Sequence, residues 1–287
     1  MLMAQITDIH LGFDPDNPAE FNRKRLDQAI RQICEMTPQP DLLLATGDLV
    51  DRGDQDSYRR LENALSVVPF PVHMCLGNHD LRKPFCKQFP DVPTADGFVQ
   101  YEIDDGPLRL LFLDTLEEGR HGGAFCAVRA KWLADRLAEK PDRPTVLVFH
   151  HPPVESGIAW MNTHPDEPWV SVLRDTIAGH DQVKAMITGH LHRNISTWFA
   201  GASLSICAST APQVAFDLAP IDPENPDGRN MIVADPPAIA LHWWNGQQLI
   251  SHFDTAEEHV MLARYDENLQ PLVRALLAER PDASSGD

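Results

Sequence analysis

With 287 residues and 43% hydrophobic side chains, the chain is long enough to bury a substantial core in one large α/β domain. The formal net charge of −18 argues against a nucleic-acid polymer as partner, since no Lys/Arg stripe exists to displace its counterions. An acidic protein acting on a phosphate ester needs local positive charge, and bound metal ions are one source of it. No apolar run approaches the ~20 residues of a membrane helix, so no membrane association is expected. The five cysteines, Cys34, Cys75, Cys86, Cys126 and Cys207, form no CxxC pair and read as reduced core thiols of a cytoplasmic protein. The start, Met1-Leu2-Met3-Ala4-Gln5, has no basic region, so no signal peptide is expected.

Residues 2–7 predict a first strand, followed by a loop from Asp8 to Asp16. Asn17-Pro18-Ala19-Glu20 has the order of a helix start: a capping Asn, Pro at the first position and Glu three after the cap. Leu26, Ala29, Ile30 and Ile33 continue it as an amphipathic stripe, predicting a helix over 18–36 that ends before Pro38 and Pro40. A strand over 41–46, a helix over 57–67 and a strand over 70–76 follow, an alternation that signals an α/β fold. Residues 98–103 and 108–113 predict a β-hairpin around Asp104-Asp105-Gly106-Pro107. Val128, Trp132, Leu133 and Leu137 mark a helix of about three turns. Strands at 145–149 and 183–187 bracket a Pro- and Trp-rich insert, 152–169, and a helix near 168–178. Short strands are expected at 203–207, 239–244 and 248–253, with a long loop, 209–237, between them. A loop of that length in a compact domain is usually functional or mobile. The main domain thus spans 1–255, residues 256–279 read as one or two terminal helices, and 280–287 as a disordered tail.

The ends of the strands carry the chemistry. Asp8-Ile9-His10, Gly47-Asp48, Gly77-Asn78-His79-Asp80, His150-His151-Pro152-Pro153 and Gly189-His190-Leu191-His192 each follow an apolar strand. Parallel and mixed sheets bring such ends to one crevice. Asp, Asn and His suit zinc and the divalent first-row metals. Asp8, His10, Asp48, Asn78, His150, His190 and His192 exceed what one tetrahedral ion uses, and fit two ions sharing a carboxylate. Two ions ~3.5–4 Å apart polarise a phosphoryl group, generate hydroxide near neutral pH and steady a leaving oxygen. A single His or Asp near a strand end is more often a packed, surface or turn residue. His73, His121, His164, His180, His242, His252 and His259 are read that way, as are Asp41 and Asp114. The five clusters together are too coherent for that reading.

These motifs, in this order, resemble the five motifs of the calcineurin-like metallophosphoesterase superfamily, over residues 8 to 192. The His-His-Pro-Pro form, the length and Ala211-Pro212-Gln213-Val214-Ala215 resemble most the bacterial class III cyclic-nucleotide phosphodiesterases and glycerophosphodiesterases. The resemblance implies a four-layer α/β/β/α sandwich of two mixed sheets flanked by helices. It implies one ion held by Asp8, His10, Asp48 and His192, and another held by Asp48, Asn78, His150 and His190, with Asp48 bridging. It implies that His79 faces the substrate phosphate, that His151 stands behind the ligands, and that metal-bound hydroxide attacks phosphorus while His79 assists the leaving group. Asp48-Leu49-Val50-Asp51-Arg52-Gly53 resembles the phosphoprotein phosphatase form of the second motif, which leaves two roles for Asp51: orienting His79 as a proton donor, or capping the turn. Arg52 reads first as a structural ion-pair residue and second as a phosphate contact.

The expected function is hydrolysis of a small phosphodiester, a cyclic nucleotide or a glycerophosphodiester, with two ions drawn from Fe, Mn, Zn or Co. A phosphomonoesterase or phosphoprotein phosphatase is the alternative, and a non-catalytic metal-binding scaffold a more distant one. Insert 152–169, with Trp160, Met161 and His164, and loop 209–237 are the expected specificity surface. The insert and segment 256–279 are the surfaces on which a homo-oligomer would form.

Overall fold

The computed structural model describes residues 1–280; the tail expected at 280–287 lies, from residue 281 onward, outside the described residues. Met1–Ala256 forms one compact unit, and the segment from Glu257 onward forms a second.

In the first unit, β1 (Leu2–Ile6), β2 (Leu42–Thr46) and β3 (Val72–Cys75) run parallel. They are extended by the antiparallel β12 (Ala238–Trp244) and β13 (Leu249–Thr255), giving the order β13-β12-β1-β2-β3. The second sheet contains β4 (Tyr101–Ile103), β5 (Arg109–Phe112), β6 (Thr145–Val148), β7 (Val183–Thr188), β8 (Ile195–Phe199) and β9 (Ala202–Ile206), in the order β4-β5-β6-β7-β9-β8. β5, β6, β7 and β9 are parallel, and the edge strands β4 and β8 antiparallel.

Side-chain alternation turns these sheets into layers. Leu110, Phe112, Val146, Val148 and Ile187 face the first sheet and share its core with α1 (Phe21–Glu35) and α2 (Gln55–Leu65). Their neighbours Leu111, Leu147, Phe149 and Met186 face the other way, onto α4 (Ala127–Glu139) and α5 (Pro168–Ile177). The result is the four-layer α/β/β/α sandwich. Gln5 on β1 spans the two sheets, donating to Thr46 Oγ1 (2.7 Å) and to the Thr188 carbonyl on β7 (2.9 Å). Its own side-chain carbonyl meets His242 Nε2 at 2.9 Å.

Several expectations change. Helix α1 starts at Phe21 rather than residue 18, because Asn17 closes a local turn onto Ala19 N and Glu20 N. Glu20 does not complete a capping box; its carboxylate accepts from Gly12 N and Asp14 N, tying down the loop after β1. A short helix, α3 (Arg82–Gln88), and strand β8 lie where no element was expected. Loop 209–237 contains a small hairpin of β10 (Gln213–Val214) and β11 (Ile232–Val233). Among the described residues of the second unit only α6 (Gln270–Ala278) is helical, and none of its residues is buried. Cys126 is exposed and so is no core thiol. Asp114 is a buried hub, not a turn residue: it takes a bidentate bond from Arg82 and one from Val99 N.

Candidate metal centre

The loops after β1, β2, β3, β6 and β7 meet over the C-terminal ends of the parallel strands. Asp8 stands at the joint between the sheets: its carboxylate accepts from Thr7 Oγ1 (2.8 Å) and from His190 N (2.9 Å). Its other neighbours are His192 Nε2 at 3.3 Å and His150 Nε2 at 3.8 Å. Asp48 lies between the two sets of imidazoles, with His150 Nε2 at 3.3 Å and His10 Nε2 at 3.6 Å, while its Oδ1 accepts from His79 N at 2.8 Å. His10 Nε2 and His192 Nε2 face each other at 3.3 Å. Ligand-type atoms gather as Asp8, His10 and His192; as Asp8, Asp48 and His150; as His10, Asp48 and His79; and as His150, His151 and His190.

The backbone is bent to make this possible. Asp8, His10, Asp48, His190 and His192 all have positive φ, between 45° and 71°. Among the described non-glycine residues only Asp96 and Ala200 share that conformation. Each such residue costs of order 1–3 kcal/mol, strain that concentrates at functional sites. Two motif glycines serve close approach. A Cβ on Gly77 would lie 2.3 Å from Asp48 Oδ1, and one on Gly189 2.6 Å from Asp8 Oδ2.

Backbone carbonyls select the tautomers. His150 Nδ1 bonds the Thr46 carbonyl and His192 Nδ1 the Pro212 carbonyl, each at 2.8 Å. A carbonyl only accepts, so both Nδ1 atoms carry the proton and Nε2, once deprotonated, is the ring atom left to ligate. His79 Nδ1 likewise donates to the Asp51 carbonyl at 2.9 Å. The Asp51 carboxylate is 3.8 Å from His79 Nδ1 and 3.5 Å from His10 Nδ1. Arg52 pairs with Asp51 at 3.5 Å.

Charge in the cluster is strongly coupled. Burial pushes the Asp48 carboxyl up, but the facing His150 and His10 outweigh it and hold it well below the usual carboxylate range. Asp8 is likewise raised by burial and brought down, on balance, by His192 and His150. His150 is pulled down by burial, yet Asp48 and Asp8 push it up to about 9. His190 and His151 are driven well below an ordinary histidine, first by burial and then by neighbouring histidines, and stay neutral. Asp80 is pushed up to about 7 by burial and by Asp48. It links the motifs structurally, accepting from Leu49 N, Gly77 N and Tyr58 Oη.

The donor set fits divalent ions. His150 Nε2, His151 Nε2 and Asn78 Oδ1 are buried without a hydrogen-bond partner. Leaving such an atom unsatisfied costs ~1–3 kcal/mol, which a cation would offset.

The calcineurin-like phosphoesterase family model matches residues 1–194. The chain belongs to the calcineurin-like phosphoesterase family. A probable cyclic nucleotide phosphodiesterase of Rhodopseudomonas palustris is 36% identical over 76% of this chain and 81% of its own length. A probable glycerophosphodiester phosphodiesterase of Arcobacter nitrofigilis is 29% identical over 86% of this chain and 90% of its own. A crystal structure of a dimetal phosphatase from Danio rerio shares the fold with TM-score 0.64 and 14% identity, over 90% of this chain and 97% of that one. Among the described residues no helix is long and apolar enough to cross a membrane.

One histidine of this phosphoesterase site differs from expectation. His121, read as a packed or surface residue, lines the cavity over the cluster. Its ring is 4.7 Å from that of His190, and its Nδ1 is 3.4 Å from Asn78 Nδ2. It sits on a loop with no periodicity, and Gly122-Gly123 beside it was the only local signal. His151, expected behind the ligands, is buried there with Nδ1 on Thr115 Oγ1 at 2.8 Å, and one of its ring nitrogens lies within 4.8 Å of nitrogens of His150 and His190. The remaining packed histidines include His242, buried and bonded to Ser251 Oγ and Gln5. Asp41 accepts from Leu2 N at the start of β1.

Proposed function

We propose that this phosphoesterase is a dinuclear metal-dependent phosphodiesterase of a small substrate, a cyclic nucleotide or a glycerophosphodiester. Residues 1–255 are its catalytic domain. Asp8, His10, Asp48 and His192 would hold one ion, and Asp48, Asn78, His150 and His190 the other. The observation that carries the reading is the Asp48 carboxylate, flanked by His10 Nε2 on one side and His150 Nε2 on the other. Ions bound there would polarise the phosphoryl oxygens and bring the pKa of a water toward neutrality.

The chain's own residues do the rest. His79 is held by two bonds: its backbone N–H to Asp48 Oδ1, and its Nδ1–H to the Asp51 carbonyl. That leaves Nε2 toward the cavity, which His79 lines. As hydroxide, its proton already released to solvent, adds to phosphorus and the ester P–O bond breaks, His79 would give a proton from Nε2 to the departing alkoxide and regain one from solvent. Among the described residues lining the cavity there is no Lys or Arg. A diester monoanion therefore brings less uncompensated charge than a monoester dianion, and the names of the relatives support the same class.

The test compares bis(4-nitrophenyl) phosphate with 4-nitrophenyl phosphate on protein of known metal content. The diester should have the higher kcat/KM, chelation should abolish turnover, and Mn, Co or Zn should restore it. Asp48→Asn should lose most metal of all single-ligand variants. A monoester preference would turn the assignment to a phosphatase, and full turnover by metal-free protein would remove the metal from it.

A further inference from the structure

The cavity over the cluster, about 740 Å³, has a polar floor and an apolar wall. Phe13, Phe21, Trp160, Met161, Val214 and Ile232 form that wall. They come from three segments far apart in the chain: the loop after β1 with the first residue of α1, the insert 152–169, and the β10–β11 hairpin. Met161 and Val214 belong to the core, but core packing does not account for Phe13, Phe21 and Ile232, which are 65%, 55% and 54% exposed. An exposed apolar surface continuous with a reactive floor marks a binding groove.

The segments that present the wall are pinned. Glu20 holds the Phe13 loop through Gly12 N and Asp14 N. Arg25 donates to the carbonyls of Thr210, Ala211 and Asp235, fixing both ends of loop 209–237 to α1. Asn162 Oδ1 accepts from Ser156 N and Gly157 N, closing the insert on itself just after Trp160. A wall held in this way needs little ordering when a ligand arrives.

Its charge selects the kind of ligand. Apart from Asp14, which lines the cavity and is exposed, a cation would find few free carboxylates there. The Glu20 carboxylate is engaged by backbone N–H groups, and Asp51 faces His10 and Arg52. The Phe21 ring already carries the Arg25 guanidinium, 5.4 Å from its centroid, which would repel a second cation. An uncharged ring needs no such partner and can pack on the Phe13 and Trp160 rings.

Building on the phosphodiesterase assignment, we propose that this wall receives the second ester group of the substrate. That group bears an uncharged aromatic ring, which narrows the small diesters named above to those that carry one, and Phe13 and Trp160 are the specificity-determining residues for it.

The test uses three diesters that all release 4-nitrophenolate and differ only in the second ester group: phenyl, methyl and choline. The phenyl diester should exceed the methyl diester in kcat/KM by on the order of tenfold or more, the range one apolar subsite supplies, and the choline diester should not exceed the methyl one. Phe13→Ala and Trp160→Ala should each lower the phenyl-to-methyl ratio at least about threefold, mostly through KM, and together bring it near one. Trp198→Ala, which removes an exposed aromatic on β8 outside the cavity, should leave the ratio unchanged. A preference for the choline diester, or an unaltered ratio in the Phe13 and Trp160 variants, overturns the proposal. Faster turnover of 4-nitrophenyl phosphate than of all three diesters would instead overturn the phosphodiesterase assignment, and the ratio among the diesters would still report on the wall.

Discussion

Gly77→Ala is the smallest change that should disable the site. The new Cβ would lie 2.3 Å from Asp48 Oδ1 and 2.4 Å from Asp48 N, whereas ordinary contact begins at 3.4 Å. A carboxylate oxygen could swing away, but the backbone nitrogen cannot. One of the two loops must therefore move by about 1 Å, a displacement that commonly costs ~10²-fold when it misplaces catalytic groups. Asp48 sits between His10 and His150 and holds His79 N, so the shift reaches both halves of the proposed metal site and the proposed proton donor together. Overpacking of this kind costs ~1–3 kcal/mol, a fall in Tm of roughly 2–12 °C for a domain this size, so the variant should still fold. Steady-state kinetics on bis(4-nitrophenyl) phosphate, metal analysis after dialysis and thermal unfolding would be run beside Gly106→Ala. There the added Cβ meets Met1 Sδ at an unremarkable 3.6 Å, and activity should persist. Wild-type kcat/KM with full metal content in Gly77→Ala would refute the idea that this glycine exists for the approach of Asp48.

His79→Ala should keep most of the bound metal yet lose on the order of 10²–10⁴ in kcat on diesters with alkoxide leaving groups, and much less on nitrophenyl esters, whose leaving group needs no proton. Equal losses on both would make His79 a phosphate-positioning residue, and loss of metal would make it a ligand. His242, far from that chemistry, contributes to acid stability beside His190 and His151: burial, aided by nearby His252, holds it down at about 3. The unfolded chain takes up this proton near pH 6.5 and the folded one only near 3, so the contribution is whole above 6.5 and is lost as pH falls between the two. The full span amounts to roughly 5 kcal/mol. Urea unfolding of wild type and His242→Gln between pH 7 and 4 should show a much shallower decline in the variant, and parallel curves would contradict the assignment.

The amino-acid sequence by itself determined the parts of this protein that depend on local rules. Apolar strands ending in Asp, Asn and His are readable because strand period and strand-end convergence are properties of short segments. The hairpin around Asp104–Pro107 and the stripe Leu26, Ala29, Ile30 and Ile33 were legible for the same reason. Helix ends were less so. Asn17 and Glu20 have the order of a capping box, yet Glu20 finds better partners in Gly12 N and Asp14 N, which no local pattern announces. Only the tertiary structure decided where side chains 30 to 200 residues apart would meet. His121 comes to the site from an aperiodic loop, and Asp114 becomes a hub because Arg82 and Arg129 close on it from two different helices. The tautomers of His150, His79 and His192 depend on the carbonyls of Thr46, Asp51 and Pro212, all supplied from other segments. The apolar wall has no motif at all, because an exposed Phe or Trp is ambiguous in sequence and gains meaning only when three separate segments turn it toward the same floor.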